Sequence, residues 1–303
     1  MAIYFIKWQK MNLILELNKM YSIEKLKNDL STLGIRKGDT VLIRADLRAI
    51  GKLETKKKED YINFMLEAVG EEGTIIGLSF TGGFFIKKKN SPIFDGTNKS
   101  NTGAFANIML SHPKSKRSTH PTNSFVLIGK HADYIIEGHD ENAGAYEPIR
   151  KIIELGGKMI LIGCVATSPG FTTTHLAEVD LGLHKRIIFP TLNGTYYKKN
   201  GEIKIFKRKD LGTCSFSFYA YYVKNELLYQ GYIGNAYSVM IDAKKAFELE
   251  KNILKDNPKF TLCNRPDCMM CRARRWDNLI DFPRYFIRIG IKKLYKFFKS
   301  DNK

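Results

Sequence analysis

The stretch SIEKLKNDLSTLGIRKGDTVLIRADL, Ser22–Leu47, decides the fold. Ser22 can cap a helix in which Leu26, Leu30 and Leu33 return at helical spacing. A glycine ends that pattern, a Lys-Gly-Asp turn follows, and the next run, TVLIRA, has the composition of a buried strand. The segment therefore predicts a helix, a turn and a core strand in succession.

The same succession recurs twice, in YINFMLEAVGEEGTIIGLSF (61–80) and in EPIRKIIELGGKMILIGC (147–164). Three such cycles predict an α/β fold, with a central sheet flanked by helices in a three-layer sandwich. The polar region 81–147 between the second and third cycles is predicted to be functional or to hold small elements of its own. From Ile187 to Asp210, β-forming residues surround two Asn-Gly pairs, which predicts a hairpin-rich C-terminal half.

Composition restricts the class of protein. The 303 residues, 44% hydrophobic and 26% charged, are enough for a sizeable core. A formal charge of +18 favours anionic partners, although lysines dispersed along the chain account for much of it. We find neither an apolar run of roughly 18 residues nor a signal peptide, so we expect a cytoplasmic protein. Five cysteines, an odd number, fit reduced thiols.

We divide the chain into four segments: an N-terminal extension (1–21), a main domain (22–257), a Cys-rich segment (258–281) and a basic, aromatic tail (282–303). The tail combines Lys and Arg with Phe, Tyr and Ile. This composition suits peripheral contact with the anionic inner face of a membrane. It equally suits a helix packed on the main domain with its lysines in water.

Two motifs contain histidines. In PGFTTTHLAEVD (169–180), His175 follows a predicted strand and lies one helical turn before Glu178, so it can be a general base or a structural residue. In KRSTHPTNSF (116–125), a cation, a hydroxyl and an imidazole precede a proline, an order that suits binding of phosphate or a polar substrate.

Taken together, these segments resemble the aminoglycoside 3-N-acetyltransferase family. LGIRKGDTVLIRADLRAIG, GTIIGLSF, SKRSTHPTNSFVLIGKHADYI, GGKMILIGC and TTTHLAE come in the order and spacing of that family, over about Ser22 to Asn257. The resemblance implies an acyl-CoA-dependent N-acyltransferase on an α/β sandwich, acting on amino groups of sugars. The main domain would then be the N-acyltransferase domain, with acetyl-CoA or another short acyl-CoA as co-substrate and no metal required for catalysis.

The resemblance also implies catalytic roles. An amine must be neutral to attack a thioester, and an imidazole with an ordinary pKa of about 6.5 can take up its proton. His175 is the expected base, and Glu178 is expected to orient it. Thr172, with Thr173 as second choice, is expected to donate to the thioester oxygen as it gains charge. Simple capping of the helix is the alternative for both threonines.

Binding residues follow from the same motifs. Arg117 and Ser118 are expected to bind the phosphates of the acyl-CoA, or instead the sugar substrate or its diphosphate, and Thr173 is expected to lie near the thioester. His120 is expected to bind the acceptor sugar and is the second candidate for the base. Arginine or helix N-termini match phosphate groups well, which would explain part of the positive charge.

One departure from the family decides the predicted acceptor. Where many members have His-Ser-Ser after the first strand, this chain has Arg44, Ala45 and Asp46. We expect Arg44 and Asp46 to bind a different acceptor, unless they form an ordinary buried pair. This favours a nucleotide-linked amino sugar for surface polysaccharide synthesis. Aminoglycoside resistance is the alternative.

The cysteines leave a metal site open. Cys263, Cys268 and Cys271 give the spacing C-x4-C-x2-C, and structural zinc needs a fourth ligand, which Cys214 or a histidine could supply. Reduced thiols in a loop are the alternative. Cys164 ends an apolar strand and is interpreted as a packed small residue, because such surroundings disfavour a thiolate nucleophile.

Two other classes of function are weaker. The charge and the stretch CRARRW suggest a nucleic-acid-binding protein, but the lysines are dispersed and no complete zinc finger or RNA-binding motif occurs, so no nucleic acid is expected. His175 and Glu178 could ligate a metal in a hydrolase. Fuller ligand sets such as His-Glu-x-x-His are missing.

Overall fold

The computed structural model describes residues 20–85, 92–184, 193–208, 212–265, 268, 270–272, 287–288 and 290–292. The strands are β1 (Met20–Tyr21), β2 (Thr40–Ala45), β3 (Lys52–Leu53), β4 (Thr74–Leu78), β5 (Phe84–Phe85), β6 (Ile93–Phe94), β7 (Lys116–Arg117), β8 (Phe125–Gly129), β9 (Lys158–Ile162), β10 (Asn193–Lys199), β11 (Glu202–Lys207), β12 (Tyr229–Ile233) and β13 (Ala236–Asp242). The α-helices are α1 (Ile23–Leu33), α2 (Leu47–Ile50), α3 (Asp60–Val69), α4 (Ala104–Ser111), α5 (Ala132–Ile136), α6 (Glu147–Glu154), α7 (Thr173–Asp180), α8 (Tyr219–Lys224) and α9 (Ala243–Asp256).

Seven strands form the central sheet in the order β12-β13-β9-β2-β4-β8-β7. The middle three, β9, β2 and β4, are parallel, with Ile43 opposite Ile160 on one side and Gly77 on the other. The outer pairs are antiparallel. These three parallel strands are the ones predicted from the three helix–turn–strand cycles, and the predicted α/β sandwich is confirmed.

Alternation along the strands separates two hydrophobic cores. Val41 and Ile43 of β2 pack in the core that holds the apolar side chains of α1 to α4, whereas Leu42 packs in the core shared with α5 to α9. In the first core Leu26 and Leu30 are almost completely buried. Burial of one such side chain stabilises the fold by roughly 1.5–3 kcal/mol. Helices from the two halves of the chain therefore cover opposite faces of one sheet.

The polar region 81–147 contains elements of its own, among them α4, the edge strand β7 of the central sheet and its neighbour β8. Strands β10 and β11 form the predicted hairpin, turning at Asn200 and Gly201 with φ of 53° and 84°. Positive φ at both positions is what a two-residue hairpin turn requires. The other Asn-Gly pair, 193–194, lies within β10 and pairs with β5.

The predicted extension (1–21) and tail (282–303) lie outside the described residues, except for 20–21, 287–288 and 290–292. Residues 20 and 21 form β1, which pairs with β3. The segment boundaries and the membrane contact of the tail therefore stay predictions. Within the described part of the chain, every helix is too short or too polar to cross a membrane.

Candidate active site

A cavity of about 750 Å³ lies at the carboxyl ends of the three parallel strands. Ala45 ends β2, Leu78 ends β4 and Cys164 follows β9, and all three line this cavity. The carboxyl edge of a parallel sheet is where α/β proteins usually bind ligands. Helix α7 begins at the same edge, so its first turn forms part of the cavity wall.

His175 lies in the first turn of α7 and lines the cavity with 18% of its side chain exposed. Its Nδ1 is 3.3 Å from Oε2 of Glu178. The ring of Tyr146 packs against the imidazole with 5.0 Å between centroids. Gly212 lies so close to the imidazole that a Cβ there would collide with it. These neighbours restrict the imidazole while leaving it open to the cavity.

Glu178 is completely buried behind His175. Its carboxylate accepts hydrogen bonds from the Thr213 hydroxyl, from the Thr213 N–H at 3.2 Å and from the Thr261 hydroxyl at 2.9 Å. Burial raises the pKa of Glu178, but the bonds from His175, Thr213 and Thr261 lower it, and the balance lies below its ordinary value. An ionised carboxylate is therefore available to hold the Nδ1–H of His175.

The three threonines before His175 have different surroundings. Thr172 is the N-cap residue of α7 and lines the cavity, and its side chain makes no capping hydrogen bond. The hydroxyls of Thr173 and Thr174 instead donate to Glu250 Oε1 on α9, at 3.0 and 2.8 Å. The roles predicted for Thr172 and Thr173 stay predictions. The hydroxyl of Thr173 joins α7 to α9.

Arg117 and Ser118 lie outside the cavity lining. Ser118 Oγ accepts the N–H of Phe125 at 2.9 Å and lies 2.9 Å from Nδ1 of His139. The guanidinium of Arg117 donates to Ser124 Oγ and to the carbonyls of Ser79, Gly96 and Asn98. Binding of acyl-CoA phosphates, or of the sugar substrate or its diphosphate, by this pair stays a prediction. Both residues hold the polar region against β8.

His120 is also outside this cavity. It is buried, its Nδ1 accepts the N–H groups of Thr122 and Asn123 at 3.3 and 3.0 Å, and its ring stacks on His139. Burial, with the charges of His139 and Arg208, lowers the pKa of His120 to about 3. The roles predicted for it, binding of the acceptor and replacement of His175 as base, stay predictions, and its Nδ1 is occupied by backbone N–H groups.

Arg44 and Asp46 do line the cavity, each with its own partners. Arg44 donates to the carbonyl of Gly170 at 2.6 Å and to Ser168 Oγ. Asp46 caps α2 and pairs with the side chain of Arg48 at 3.1 Å. The alternative of an ordinary buried pair between Arg44 and Asp46 does not describe these contacts. Acceptor binding by the two residues stays a prediction.

Several further residues line the cavity without having been predicted from the sequence, among them Tyr146, Thr213, Phe216 and Arg265. Thr213 and Arg265 lie in segments without helix or strand, where no periodic pattern shows which way a side chain points. Cys164 also lines the cavity, and burial raises the pKa of its thiol. This agrees with its interpretation as a packed residue rather than a thiolate nucleophile.

Comparison with known proteins gives the family. A family model described as "Aminoglycoside 3-N-acetyltransferase" matches residues 42–255. The chain belongs to this family. The match confirms the predicted resemblance and, at the level of the family, the predicted class of N-acyltransferase. It also contains every cavity residue discussed above except Arg265.

Curated relatives are similar over part of their length. Aminoglycoside N(3)-acetyltransferase III of Serratia marcescens is 28% identical over 52% of this chain and 64% of the relative, so the alignment spans less than two thirds of that protein. The same enzyme type from Salmonella sp is 28% identical over 61% of this chain and 69% of the relative. The aminoglycoside N(3')-acetyltransferase-like protein YokD of Bacillus subtilis is also 28% identical, over 54% of this chain and 67% of the relative.

Solved structures share the fold. Aminoglycoside acetyltransferase AAC(3)-IVa superposes with a TM-score of 0.71 at 21% identity, covering 86% of this chain and 98% of its own. AAC-IIIb, solved as a binary complex with CoASH, gives a TM-score of 0.61 at 20% identity, covering 78% of this chain and 97% of its own. At these identities the comparison shows a common architecture.

These findings correct the predicted substrate. On the sequence alone, the departure at residues 44–46 favours a nucleotide-linked amino sugar for surface polysaccharide synthesis. The family and its curated relatives are instead named for aminoglycosides, which backs the stated alternative. The prediction was wrong because a change of three residues at one wall says little about an acceptor without the remaining walls.

Proposed function

We propose that this protein transfers an acetyl group from acetyl-CoA to an amino group of an aminoglycoside. The observation that carries the proposal is an imidazole, His175, that lines a large cavity while a buried carboxylate, Glu178, lies beside its Nδ1. Family membership supports the reaction class. Structures of relatives with CoASH, with sisomicin and with a gentamicin support the two substrates.

His175 is the general base. With its Nδ1–H held by the ionised Glu178, the imidazole keeps a lone pair on Nε2. Acetyl-CoA supplies an activated acyl group as a thioester. As the acceptor nitrogen forms its bond to the acyl carbon and the C–S bond breaks, Nε2 takes the proton that nitrogen loses. His175 then returns a proton to the departing sulfur, so that the imidazole is regenerated.

Thr172 is proposed to assist at the acyl oxygen. It lies at the N-terminus of α7, where backbone N–H groups lack helical partners, and its side chain makes no capping bond. Donors at such a position stabilise an oxygen that gains negative charge in the transition state.

The charges around the cavity suit the two substrates. Arg48 and Arg265 are exposed guanidinium groups in its wall, with N–H groups for coenzyme A phosphates beside their bonds to Asp46 and to Cys214 Sγ, whereas Arg44 is half-buried. Asp46 supplies a carboxylate for an ammonium group of the acceptor. The volume of about 750 Å³ lies in the upper part of the range of roughly 300–1,000 Å³ usual for small-molecule sites, which suits a site for two substrates.

Replacing the base tests the proposal. Release of free CoA is measured with acetyl-CoA and a panel of amino acceptors that includes sisomicin and gentamicin. We expect His175→Asn to lower kcat about 100- to 10,000-fold with an unchanged circular dichroism spectrum, since general-base catalysis contributes that factor. The matched control is His131→Asn, at the start of α5 and outside the cavity lining. Near-normal turnover in His175→Asn would exclude this residue as the base.

Expression in an aminoglycoside-sensitive host tests the substrate class. Raised tolerance that disappears in His175→Asn supports aminoglycoside acetylation, whereas unchanged tolerance with a well-expressed protein argues against it. A cytoplasmic location, where acetyl-CoA is available, is part of this proposal. Membrane contact through the tail is not part of this proposal.

A further inference from the structure

Four cysteines that the reaction does not use converge beside the active site. Cys214 comes from the segment before α8, whereas Cys263, Cys268 and Cys271 follow α9, and all four sulfur atoms lie within 4.8 Å of one another. We propose that these four thiolates bind one structural zinc ion. The proposal goes beyond acyl transfer and does not depend on it.

The spacing of the sulfurs fits a single tetrahedral ion. Zinc–sulfur bonds of about 2.3 Å at tetrahedral angles place neighbouring sulfurs about 3.8 Å apart. The sulfurs of Cys214 and Cys268 are 3.8 Å apart. With the whole set inside 4.8 Å, closing onto a metal requires movements of about 1 Å or less. Four protein sulfurs complete the coordination, as in structural rather than catalytic zinc sites.

Hydrogen-bond donors around the sulfurs suit thiolates. The backbone N–H of Cys263 donates to the sulfur of Cys271 at 3.4 Å, within the loop that supplies both ligands. The guanidinium of Arg265 donates to the sulfur of Cys214 at 3.5 Å. Such donors orient metal ligands and offset the surplus negative charge of a four-thiolate site.

The position of the cluster explains what a zinc ion would stabilise. Thr213, next to Cys214, and Thr261, two residues before Cys263, both donate to the buried carboxylate of Glu178. One ion bound by both segments would fix these two donors relative to each other. The proposed zinc site, whose Cys214 lines the cavity, therefore supports the carboxylate that holds His175.

Metal analysis tests the proposal independently of activity. The wild-type chain, produced with added zinc and kept reduced, should retain about one zinc per chain after gel filtration, measured by plasma mass spectrometry. We expect Cys214→Ser and Cys271→Ser to weaken zinc binding at least about 100-fold, since loss of an outer-shell partner alone costs 10- to 100-fold. Cys164→Ser, outside the cluster, is the matched control and should retain the zinc.

A second measurement covers variants that fail to fold. Wild-type protein refolded with cobalt should show the intense absorption of a tetrahedral cobalt–thiolate centre, removed by adding zinc. An octahedral cobalt spectrum, iron instead of zinc, disulfides among the four cysteines in freshly reduced protein, or zinc content unaffected by Cys214→Ser would each overturn the proposal. Because every readout is metal content or spectrum, failure here is distinguishable from failure of the proposed acetyl transfer.

Discussion

At the scale of single residues, the site depends on one pair that the sequence pattern shows and on partners that it cannot show. His175 and Glu178 are three positions apart on a helix, so their proximity follows from helix geometry. The donors to Glu178 come from Thr213 and Thr261, on two other segments of the chain. Only the tertiary fold brings these residues together, and together they keep a buried carboxylate ionised.

The carboxylate should therefore be tested by a change that keeps its shape. We expect Glu178→Gln to lower kcat at least about tenfold, because an amide holds the imidazole tautomer less well than an anion does. KM for acetyl-CoA should stay within about twofold, since Glu178 lies outside the cavity lining. Steady-state kinetics on folded protein measures both values. A rise in KM with an unchanged kcat would mean that Glu178 shapes the binding site instead.

Three other side chains with predicted binding roles have protein partners in the fold, and those roles stay predictions. A side chain that is already bonded within the protein must share or break those bonds to bind a substrate. The hydroxyl of Thr173 donates to Glu250, and Nδ1 of His120 accepts backbone N–H groups. The guanidinium of Arg117 donates to the Ser79 carbonyl and to three further oxygen atoms. These partners are distant in sequence or belong to the backbone, so residue identity alone could not reveal them.

At the scale of elements, local periodicity predicted the strands that build the site. Each helix–glycine–strand cycle became one parallel strand, because a crossover helix returns the chain to the same edge of the sheet. The edge strand β7 and its neighbour β8 were missed within the polar region. β7 is only two residues long, so its place is set by pairing with β8 rather than by a pattern of its own.

The contact between helices α7 and α9 leads to a prediction about the pH dependence of stability. Glu250 is fully buried, and burial raises its pKa to about 8 while the hydroxyls of Tyr222, Thr174 and Thr173 lower it. Its Oε2 has no hydrogen-bond partner among the described residues. Because the folded pKa exceeds the unfolded value of about 4.3, the folded state keeps a proton that the unfolded state releases. Stability is then highest below the unfolded pKa and falls as pH rises toward about 8.

We expect Glu250→Gln to remove this pH dependence. Gln keeps an oxygen for the three hydroxyl donors but does not titrate. Its free energy of unfolding should change less than that of the wild type between about pH 5 and pH 8, so that the variant gains relative stability at the higher pH. Urea unfolding at several pH values measures this, with Glu248→Gln, exposed on the same helix, as the matched control. Parallel curves for Glu250→Gln and wild type would show that Glu250 is ionised in the fold.

At the scale of the whole molecule, the cysteines show how far spacing can predict a cluster. C-x4-C-x2-C indicated three possible ligands, and Cys214 was only one option for the fourth. The fold selects it, because the segment before α8 and the segment after α9 lie against each other beside α7. Cysteine spacing contains local information, whereas a fourth ligand from another segment requires the complete topology.

The net charge of +18 leads to a prediction for the proposed reaction. Acetyl-CoA is an anion and an aminoglycoside is a polycation, so the field of the protein should attract the first and repel the second. Salt shortens the range of that field, from roughly 30 Å at 0.01 M to about 8 Å at 0.15 M ionic strength. We therefore expect kcat/KM for acetyl-CoA to fall several-fold over this range, while kcat/KM for the aminoglycoside stays level or rises.

Steady-state kinetics with each substrate varied in turn, at fixed pH, measures both slopes. An acceptor with a single amino group is the control and should respond more weakly than a polycationic one, because the repulsion scales with its charge. If kcat/KM for the aminoglycoside fell in parallel with that for acetyl-CoA, the acceptor would be responding to a negative local field. Asp46, the carboxylate that lines the described cavity, would then outweigh Arg44, Arg48 and Arg265. Opposite slopes for the two substrates would show that the charge of the whole molecule governs their approach.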